Sequence, residues 1–250
     1  MKMLTEERYQ AIRKLLADNS IVKLQEIVEA TEASESTARR DLSQLEELGE
    51  LVRVHGGAKR IFSVDTEPSV KEKSQQFMTE KEHIGKYAAT LIEMNDFIYI
   101  DAGTSTLSML PFIKAENITV VTNGLEIANI LTEMDIQTIL VGGYIKPKTR
   151  AMIGTDAKNQ LKQYQFSKAF MGTNGIDIQY GFTTPDREEA SVKQTAIHQA
   201  NQVYVLSDSS KFDKISFCRI VELEDASIIT NTLPEPVRLK YEKYTKVKEV

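Results

Sequence analysis

The sequence predicts an α/β protein of two domains: a small domain of helices and one hairpin, then a larger domain with a doubly wound parallel sheet. In the first 60 residues, three segments of helical periodicity precede a short hairpin pattern. From residue 97 onward, short apolar runs that end in small or polar residues alternate with helical segments. Strands buried on both faces and separated by helices are typical of a doubly wound sheet.

Residues 5–17 and 22–30 predict the first two helices. Thr5 suits the N-terminal cap of the first helix, because its hydroxyl can accept a hydrogen bond from a first-turn N–H group. The run Asp-Asn-Ser at 18–20 is expected to end that helix, and residues 31–33 to turn the chain into a third.

Residues 34–48 predict the third helix, which Ser34 and Ser36 can start and which should end at Gly49. Four residues recur on its apolar face: Ala38, Leu42, Leu45 and Leu48. Two cations and two hydroxyls share the opposite face: Ser36, Arg39, Arg40 and Ser43. Arginine binds guanine edges or phosphates, so this face suits the major groove of DNA. The alternative is a surface helix with a solvated charged face.

A β-hairpin is expected after this helix. Residues 51–54 contain strand formers, Gly56-Gly57 predicts the turn, and a second strand should run through about Ile61. The hairpin is basic, with Arg53, His55, Lys59 and Arg60. Three helices and a basic hairpin predict a winged helix-turn-helix, whose wing can contact the flanking DNA backbone or minor groove.

Charge and composition limit the function classes. The net charge is −5, and even the first 60 residues carry 10 Lys and Arg against 11 Asp and Glu, so DNA binding must depend on where the cations lie. The single cysteine, Cys218, excludes an intrachain disulfide and favours a reducing compartment. Without a signal peptide or a run of about 18 apolar residues, a cytoplasmic protein with no membrane partner is expected. The scattered histidines predict no metal site, and no cofactor is expected.

Three segments are therefore predicted. Residues 3–60 form the DNA-binding domain, and residues 61–76 form a polar linker with a possible helical start at Val70. Residues 77–250 form the second domain, which opens with a helix over 81–94.

The second domain contains five predicted strands: 97–103, 118–124, 138–143, 168–175 and 203–210. Each ends in Gly, Ser, Thr, Asn or Asp. Ligands of doubly wound sheets bind at the carboxyl ends of the strands, so these polar ends are the candidate binding site.

The clearest of these strand ends is D-A-G-T-S-T-L-S-M-L at 101–110. Gly103 permits a tight turn after Asp101, and three hydroxyl residues at 104–106 open a helix. Such N–H groups and hydroxyls make an anion site suited to phosphate. The lysine and spacing of a nucleotide-hydrolysing P-loop are missing. An ordinary capped helix start is the alternative.

The motifs S-E-S-T-A-R-R-D-L, L-E-x-x-G and V-H-G-G-A resemble the DeoR family of bacterial transcription regulators. In that family the T-x-R-R-D-L helix contacts DNA and the H-G-G-A segment is the wing. The family usually has Ile at the core-facing position of Ala38. The resemblance implies DNA contacts at six residues: Ser36, Thr37, Arg39, Arg40, Arg53 and His55.

The second half resembles the sugar-phosphate sensor domain of the same family, itself similar in fold to ribose-5-phosphate isomerase and glucosamine-6-phosphate deaminase. The motifs are D-A-G-T-S-T, T-N-G, G-G, G-x-x-G-I-D, G-F-T-T-P-D-x-E-E-A and S-D-S-S-K-F. The resemblance implies twelve effector-binding residues: Asp101, Gly103, Thr104, Ser105, Thr106, Asn123, Gly142, Gly143, Asn174, Glu189, Lys193 and Lys211.

A sugar-phosphate isomerase with an appended DNA-binding domain is the alternative function. Isomerases of this fold place an aspartate in G-x-D, whereas this chain has Gly-Thr-Asn at 172–174, and an amide cannot accept and return a proton. Glu189 and Lys193, four positions apart on a predicted helix, are expected to form a solvated ion pair. The sequence therefore favours binding over catalysis, with no catalytic residue.

The resemblance implies allosteric repression, in which double-stranded operator DNA and a sugar-phosphate effector bind different domains. Winged helices usually act in pairs, so a homo-oligomer, a dimer or tetramer, is expected. The motifs look most like the fructose-operon repressors of low-GC Gram-positive bacteria, which suggests fructose 1-phosphate as the inducer. Sensors of tagatose 6-phosphate and glycerol phosphate share most of these residues.

Overall fold

The structure is a computed structural model that describes residues 3–19, 21–48, 50–60 and 70–250. The chain divides into two compact units, Met1–Ser63 and Val64–Val250. The predictions made for Ser20, Gly49 and Ile61 lie outside the described residues.

The first unit is a three-helix domain with a small antiparallel sheet. Its elements are α1 (Thr5–Asp18), β1 (Ile21–Lys23), α2 (Leu24–Thr31), α3 (Glu35–Glu47), β2 (Leu51–Val54) and β3 (Gly57–Arg60). One apolar core joins the three helices to the sheet, with Ile12, Ile27 and Leu45 fully buried. The strand order is β1-β3-β2, so the hairpin gains a third strand from the segment between the first two helices.

Four predictions for this unit were wrong in detail. Val22, predicted to be helical, lies in β1 and is opposite Ala58 in the sheet. The cap of α1 is Leu4, whose N–H group donates to Glu7 Oε2 at 2.7 Å, so Thr5 is the first helical residue. Leu48 lies beyond the last full turn of α3 and its side chain is 64% exposed.

The fourth concerns the hairpin turn, which is one residue earlier than predicted. Val54 is opposite Gly57, so the loop consists of His55 and Gly56. Gly56 has a φ of 83°, in the left-handed region that favours glycine.

The second unit is a three-layer α/β domain. Its helices are α4 (Val70–Ser74), α5 (Met78–Ala89), α6 (Thr104–Leu107), α7 (Leu125–Glu133), α8 (Thr155–Leu161), α9 (Arg187–His198) and α10 (Glu235–Tyr241). Its strands are β4 (Phe97–Ile100), β5 (Thr119–Thr122), β6 (Gln137–Leu140), β7 (Tyr144–Lys146), β8 (Ala151–Ile153), β9 (Phe166–Gly172), β10 (Gly175–Asp177), β11 (Gly181–Thr184), β12 (Ala200–Leu206), β13 (Cys218–Val221), β14 (Ser227–Thr230) and β15 (Val247–Glu249).

The central sheet has seven parallel strands in the order β15-β14-β12-β9-β4-β5-β6. From β4 the chain builds outward through β5 to β6, returns to β9 beside β4, and then builds outward on the other side. The strand order therefore reverses between β4 and β9. Such a switch point opens a crevice at the carboxyl ends of the two strands.

Alternate residues of the strands enter two cores, one on each face of the sheet. Ile98 and Ile100 of β4 pack with α5 and α7, whereas Tyr99 between them packs on the other face with α8, α9 and α10. Helices on both faces confirm the predicted doubly wound α/β fold class. None of the helices in the described part of the chain is long and apolar enough to cross a membrane.

Three features of this unit differ from the sequence prediction. Strands β14 and β15 join the sheet but were not predicted, and α5 begins at Met78 rather than at residue 81. Residues 70–76, assigned to a linker, belong to the second unit and contain α4.

Candidate DNA-binding surface and ligand cleft

The start of α3 is fixed by hydroxyl groups. Ser34 is the N-terminal cap, and its Oγ accepts a hydrogen bond from the N–H group of Thr37 at 3.3 Å. The hydroxyls of Ser36 and Thr37 lie 3.0 and 2.9 Å from the same oxygen. The predicted DNA contacts Ser36 and Thr37 therefore belong to the capping network that begins the helix.

The opposite side of α3 is anchored by a buried ion pair that the sequence analysis missed. Asp41 is 1% exposed and accepts two hydrogen bonds from the guanidinium group of Arg8, at 2.6 and 3.1 Å. These hydrogen bonds raise the pKa of Arg8. Asp41 lies three positions after Ala38 and four before Leu45, so its place on the buried face could have been read from the sequence.

The exposed face of α3 carries the predicted cations. Arg39 and Arg40 are both exposed, but only Arg39 is paired, with Glu35 Oε2 3.4 Å from its Nη2. Within the described residues, Arg40 forms no ion pair or hydrogen bond. Its guanidinium group is therefore available to DNA without displacing an intramolecular partner.

The wing is tied to this face by Arg53 of β2. Its Nη1 donates to Ser43 Oγ at 2.7 Å, and its N–H group donates to Glu46 Oε1 at 2.8 Å. His55 lies in the exposed loop at the tip of the hairpin. Arg53, one of the predicted DNA-contacting residues, therefore holds the wing against α3 through hydrogen bonds to side chains of that helix.

A cleft lies at the switch point of the seven-stranded sheet. Loops after β4, β9 and β12 meet there with α4 and α9. Its charged lining residues are Lys73, Lys81, Lys193, Lys211, Glu189 and Asp208. Its neutral polar lining residues include Gln76, Thr104, Ser105, Thr149, Thr173 and Asn174. Seven of the predicted effector-binding residues line it: Gly103, Thr104, Ser105, Asn174, Glu189, Lys193 and Lys211.

Two other predicted residues lie beneath the cleft and shape its loop. Thr106 is fully buried, and its Oγ1 donates to the carbonyl groups of Asp101 and Gly103 at 2.6 and 2.9 Å. Asn123 Oδ1 accepts from the N–H group of Ala102 at 2.9 Å and from the Tyr99 hydroxyl at 2.9 Å. Both side chains hold the 101–106 loop in place and are not part of the cleft lining.

Asp101, also predicted to bind the effector, is buried behind the cleft and paired with Lys193. Asp101 Oδ2 accepts from Lys193 Nζ and, at 3.0 Å, from the N–H group of Gly172. Lys193 Nζ also donates to the Gly172 carbonyl at 3.1 Å. This pair joins the ends of β4 and β9 to α9, which fixes the floor of the cleft.

The expected solvated pair between Glu189 and Lys193 was wrong. Both residues are buried, at 6% and 5% exposure, and they have different partners. Glu189 Oε1 accepts from Thr149 Oγ1 at 2.6 Å and pairs with Lys146 Nζ at 3.1 Å. Partners from distant parts of the chain compensate the burial of both charges: Lys146 pairs with Glu189, and Asp101 pairs with Lys193.

The remaining predicted residues, Gly142 and Gly143, lie after β6 and not in the cleft lining. The N–H group of Gly142 donates to Gln160 Oε1 at 2.6 Å. Gly143 has a φ of 133°, and a Cβ there would lie 2.5 Å from the Ile153 carbonyl oxygen. This glycine permits the close approach of β8 to the end of β6.

Positive charge dominates the cleft, since its lining has four lysines and two carboxylates. Burial lowers the pKa of Lys81 and of Lys211, with Lys73 among the nearby cations that lower both further. The sequence analysis missed Lys73, Lys81, Thr149 and Asp208. Asp208 lies in the polar end of the predicted strand 203–210 and could have been found by that signal.

The arrangement supports binding rather than proton transfer. Asn174 has an amide side chain, which cannot act as a general base, and its Oδ1 accepts from Thr184 Oγ1 at 3.1 Å. The two lining carboxylates are already engaged: Glu189 by Thr149 and Lys146, and Asp208 by the N–H group of Ser210 at 3.0 Å. A general base needs a carboxylate that can reach the substrate proton.

Each of the two domains matches a known family model. Residues 8–64 match the DeoR-like helix-turn-helix domain, and residues 76–232 match the DeoR C terminal sensor domain. Among solved structures, ribose 5-phosphate isomerase A of Methanocaldococcus jannaschii is similar over 53% of each chain, with 14% identity. The TM-score of this comparison is 0.40.

Two bacterial relatives are similar over nearly their whole length. An uncharacterized HTH-type transcriptional regulator, FruR, of Bacillus subtilis is 47% identical over 249 residues, 99% of each chain. The lactose phosphotransferase system repressor of Staphylococcus epidermidis is 34% identical over 246 residues, 96% of this chain and 98% of that protein. These relatives are regulators rather than enzymes, and the chain belongs to the DeoR family of transcriptional regulators, with a helix-turn-helix domain followed by a DeoR sensor domain.

Proposed function

We propose that this regulator represses a sugar-utilisation operon and that this operon encodes a fructose phosphotransferase system. A phosphorylated sugar such as fructose 1-phosphate binds the cleft of the sensor domain and releases the protein from its operator. The name of the Staphylococcus epidermidis relative, a phosphotransferase system repressor, supports this class of target. The sequence motifs shared with fructose-operon repressors support the choice of sugar.

The observation that carries the proposal is the lysine-rich cleft at the switch point. Burial disfavours the charged forms of Lys81 and Lys211 and lowers their pKa values, and repulsion from nearby lysines lowers them further. A phosphate group carries up to two negative charges and would offset this repulsion. Thr104 and Ser105 add hydroxyls beside it. A strong anion is therefore the ligand class that this cleft fits best.

The rest of the cleft suits a sugar. Asn174, Glu189 and Asp208 supply amide and carboxylate groups, which can form hydrogen bonds with several hydroxyls. A phosphorylated polyol or sugar supplies an anionic group for the lysines and hydroxyls for these polar side chains.

The DNA-binding part of the proposal rests on the surface formed by α3 and the wing. Arg40 reads base edges or phosphates in the major groove, and Arg53 and His55 contact the flanking backbone or minor groove. Paired half-sites require paired domains, so we also propose a homodimer or homotetramer. Sedimentation of the full chain tests the assembly, and a monomer at operator-binding concentrations contradicts it.

The test of function is fluorescence anisotropy of the DNA upstream of the protein's own gene cluster. Titrations are repeated with fructose 1-phosphate, fructose 6-phosphate, tagatose 6-phosphate and glycerol 3-phosphate at one salt concentration, because affinity depends steeply on salt. Release by fructose 1-phosphate alone is expected. If another of these sugar phosphates releases the DNA, that compound is the effector. If the protein binds the DNA tightly and no sugar phosphate alters this binding, the effector proposal is overturned.

The location of the ligand is tested with two lysines of different position. Lys211→Gln removes a cation from the cleft, and Lys114→Gln removes an exposed one that precedes β5 at the opposite edge of the sheet. A charge-assisted hydrogen bond contributes about 1.5–3 kcal/mol, so Lys211→Gln should weaken fructose 1-phosphate binding at least tenfold. Calorimetry that finds equal affinities for both variants places the ligand elsewhere.

A further inference from the structure

One wall of the cleft is a short segment that precedes the main body of the sensor domain. Residues 70–77, here called the strap, consist of α4 and the turn after it. Val70, Lys73, Gln76 and Phe77 of the strap line the cleft. At its start, the N–H group of Val70 donates to the Lys148 carbonyl at 3.2 Å. The strap therefore faces the same space as the predicted phosphate loop.

The other end of the strap is held by the side chain of Lys81. Its Nζ donates to the carbonyl of Lys73 at 2.5 Å and to that of Gln76 at 2.8 Å. Lys81 lies in α5, and its own carbonyl accepts from Ser108 Oγ at 2.7 Å. Only 6% of the residue is exposed, and it lines the cleft. A buried cation of the domain body thus fastens the strap.

The joint between the strap and α5 has an unusual backbone. Phe77 has φ 52° and ψ 43°, in the left-handed region. A bulky aromatic residue rarely adopts this conformation, which persists only where surrounding contacts impose it. The strap is therefore attached to the domain body through a strained residue and two side-chain hydrogen bonds.

We propose that Lys81 is a ligand-binding residue that couples the effector to the strap. Its ammonium group holds the two strap carbonyls and donates its third hydrogen bond to the anionic group of the effector in the cleft. Ligand and strap are then bound by the same cation, so occupancy of the cleft fixes the strap. The inference rests on the proposed function, because it assumes an anionic effector in this cleft.

The chemistry of the ammonium group allows both contacts. It has three N–H donors, and the carbonyls of Lys73 and Gln76 use two of them. Lys211 and Asp208 line the same cleft, and their charges influence the pKa of Lys81. Lys81 and Lys211 therefore both face the space that an anionic group would occupy.

The position of the strap in the chain connects the contact between Lys81 and the effector to the DNA-binding domain. Residues 61–69 connect the helix-turn-helix unit to the strap, and the strap is the first described segment of the sensor unit. A ligand that fixes the strap acts on the covalent connection to the DNA-binding domain. A coupling between two sites needs an element whose state one ligand changes, and the strap is that element.

The test is hydrogen–deuterium exchange of the full chain with and without saturating fructose 1-phosphate, with fructose as the phosphate-free control. Exchange of the strap amides should slow about tenfold with fructose 1-phosphate in the wild type. Lys81→Met should bind this sugar phosphate about tenfold more weakly and show no strap protection even at saturation. Lys81→Arg, which keeps the charge, should retain protection. Unchanged exchange in β9 shows that each variant is folded.

The outcomes separate this inference from the proposed function. If the wild type binds fructose 1-phosphate and Lys81→Met binds it equally well with full strap protection, the inference is overturned and the proposed function stands. Binding with an unprotected strap in the wild type also overturns it. If calorimetry finds that the wild type does not bind fructose 1-phosphate, both the proposed effector and the proposed role of Lys81 are wrong.

Discussion

Two adjacent arginines on α3 have different surroundings. Arg39 pairs with Glu35 one turn earlier, an exposed i,i+4 pair worth about 0.3–0.5 kcal/mol. Arg40 has no such partner among the described residues. The side chain without an intramolecular partner loses less on binding, so Arg40 should contribute more to DNA affinity than Arg39 does.

Arg40→Ala should therefore reduce operator affinity without affecting the sensor domain. A bidentate arginine contact contributes about 1–3 kcal/mol, which corresponds to a loss of about 10- to 100-fold. Lys14→Ala, an exposed cation of α1 off this surface, is the matched control. Anisotropy measures DNA affinity and calorimetry measures fructose 1-phosphate affinity. Equal DNA affinity of the two variants would falsify the assignment of α3.

Another charged group, Lys168 of β9, is buried at the amino edge of the sheet. Its Nζ contacts Asp96 Oδ2 at 2.7 Å and Glu93 Oε2 at 2.8 Å. Burial by itself would raise the pKa of Asp96, but the hydrogen bonds from Lys168 and from the Glu93 N–H group hold it below its usual value. This lowered pKa stabilises the fold above the unfolded-state pKa, and the contribution is lost as the pH falls through the folded-state pKa.

Lys168→Met should reverse this pH dependence. Without the ammonium group, burial raises the pKa of Asp96, so the variant should lose about 3 kcal/mol near neutral pH. It should recover part of this loss as the pH falls and Asp96 is protonated. Urea unfolding between pH 7 and pH 4 measures the effect, with the exposed Lys162→Met as control. A parallel pH profile for wild type and variant contradicts the role of the pair.

At the scale of elements, the wing depends on a strand that the sequence did not predict. β1 pairs with β3, and this third strand ties the hairpin to the helices. The two adjacent glycines of the hairpin have different roles. A Cβ at Gly57 would lie 2.0 Å from the Val22 carbonyl oxygen, whereas a Cβ at Gly56 meets nothing within 4 Å.

Gly57→Ala should destabilise the helix-turn-helix unit more than Gly56→Ala. The first forces β1 and β3 apart, a form of overpacking that costs about 3 kcal/mol. The second only places an alanine in the left-handed region, at a cost of about 1 kcal/mol. Thermal unfolding of the full chain and operator affinity provide the readouts. If Gly56→Ala has the larger effect, the pairing of β1 with the wing is not what stabilises the unit.

At the scale of the whole molecule, the proposed regulation links two domains through one chain. If a sugar phosphate weakens operator binding by some factor, operator DNA must weaken sugar-phosphate binding by the same factor. This equality holds regardless of the structural route between the sites.

Calorimetry of fructose 1-phosphate with and without saturating operator DNA should therefore show a lower affinity for the DNA-bound protein. Coupling energies are typically about 1–3 kcal/mol, so the expected change is about 5- to 150-fold. Arg40→Ala, which binds DNA weakly, is the control and should show little change at the same DNA concentration. An identical affinity in both titrations excludes allosteric release by this sugar phosphate.

Local patterns in the sequence determined the elements with strong periodicity. The apolar stripe Ala38, Leu42 and Leu45 predicted α3 and its buried face, and five apolar runs predicted the central strands. Short elements without such a signal were missed, including β1, β14 and β15. β1 and β15 have three residues each, which is too few for a periodic pattern to distinguish a strand from a loop.

Much of the candidate site could also be found from the sequence, because Gly103, Thr104 and Ser105 stand in a pattern typical of a strand-to-helix turn. Which side chains face the cleft could not. Asn123 and Thr106 share that pattern, yet their hydrogen bonds place them beneath the loop. Each residue type suits both roles, and only the packing of neighbouring strands distinguishes them.

The sequence by itself determined the two-domain organisation, the helix that presents Arg40, and the polar ends of the strands, because these depend on residues within one or two turns of each other. The tertiary structure decided which charges meet. Lys193 contacts Asp101 across 92 positions because α9 packs against β9, which is the neighbour of β4 in the sheet. Burial makes such pairings energetically decisive, and burial is set by the assembled sheet rather than by any local run of residues.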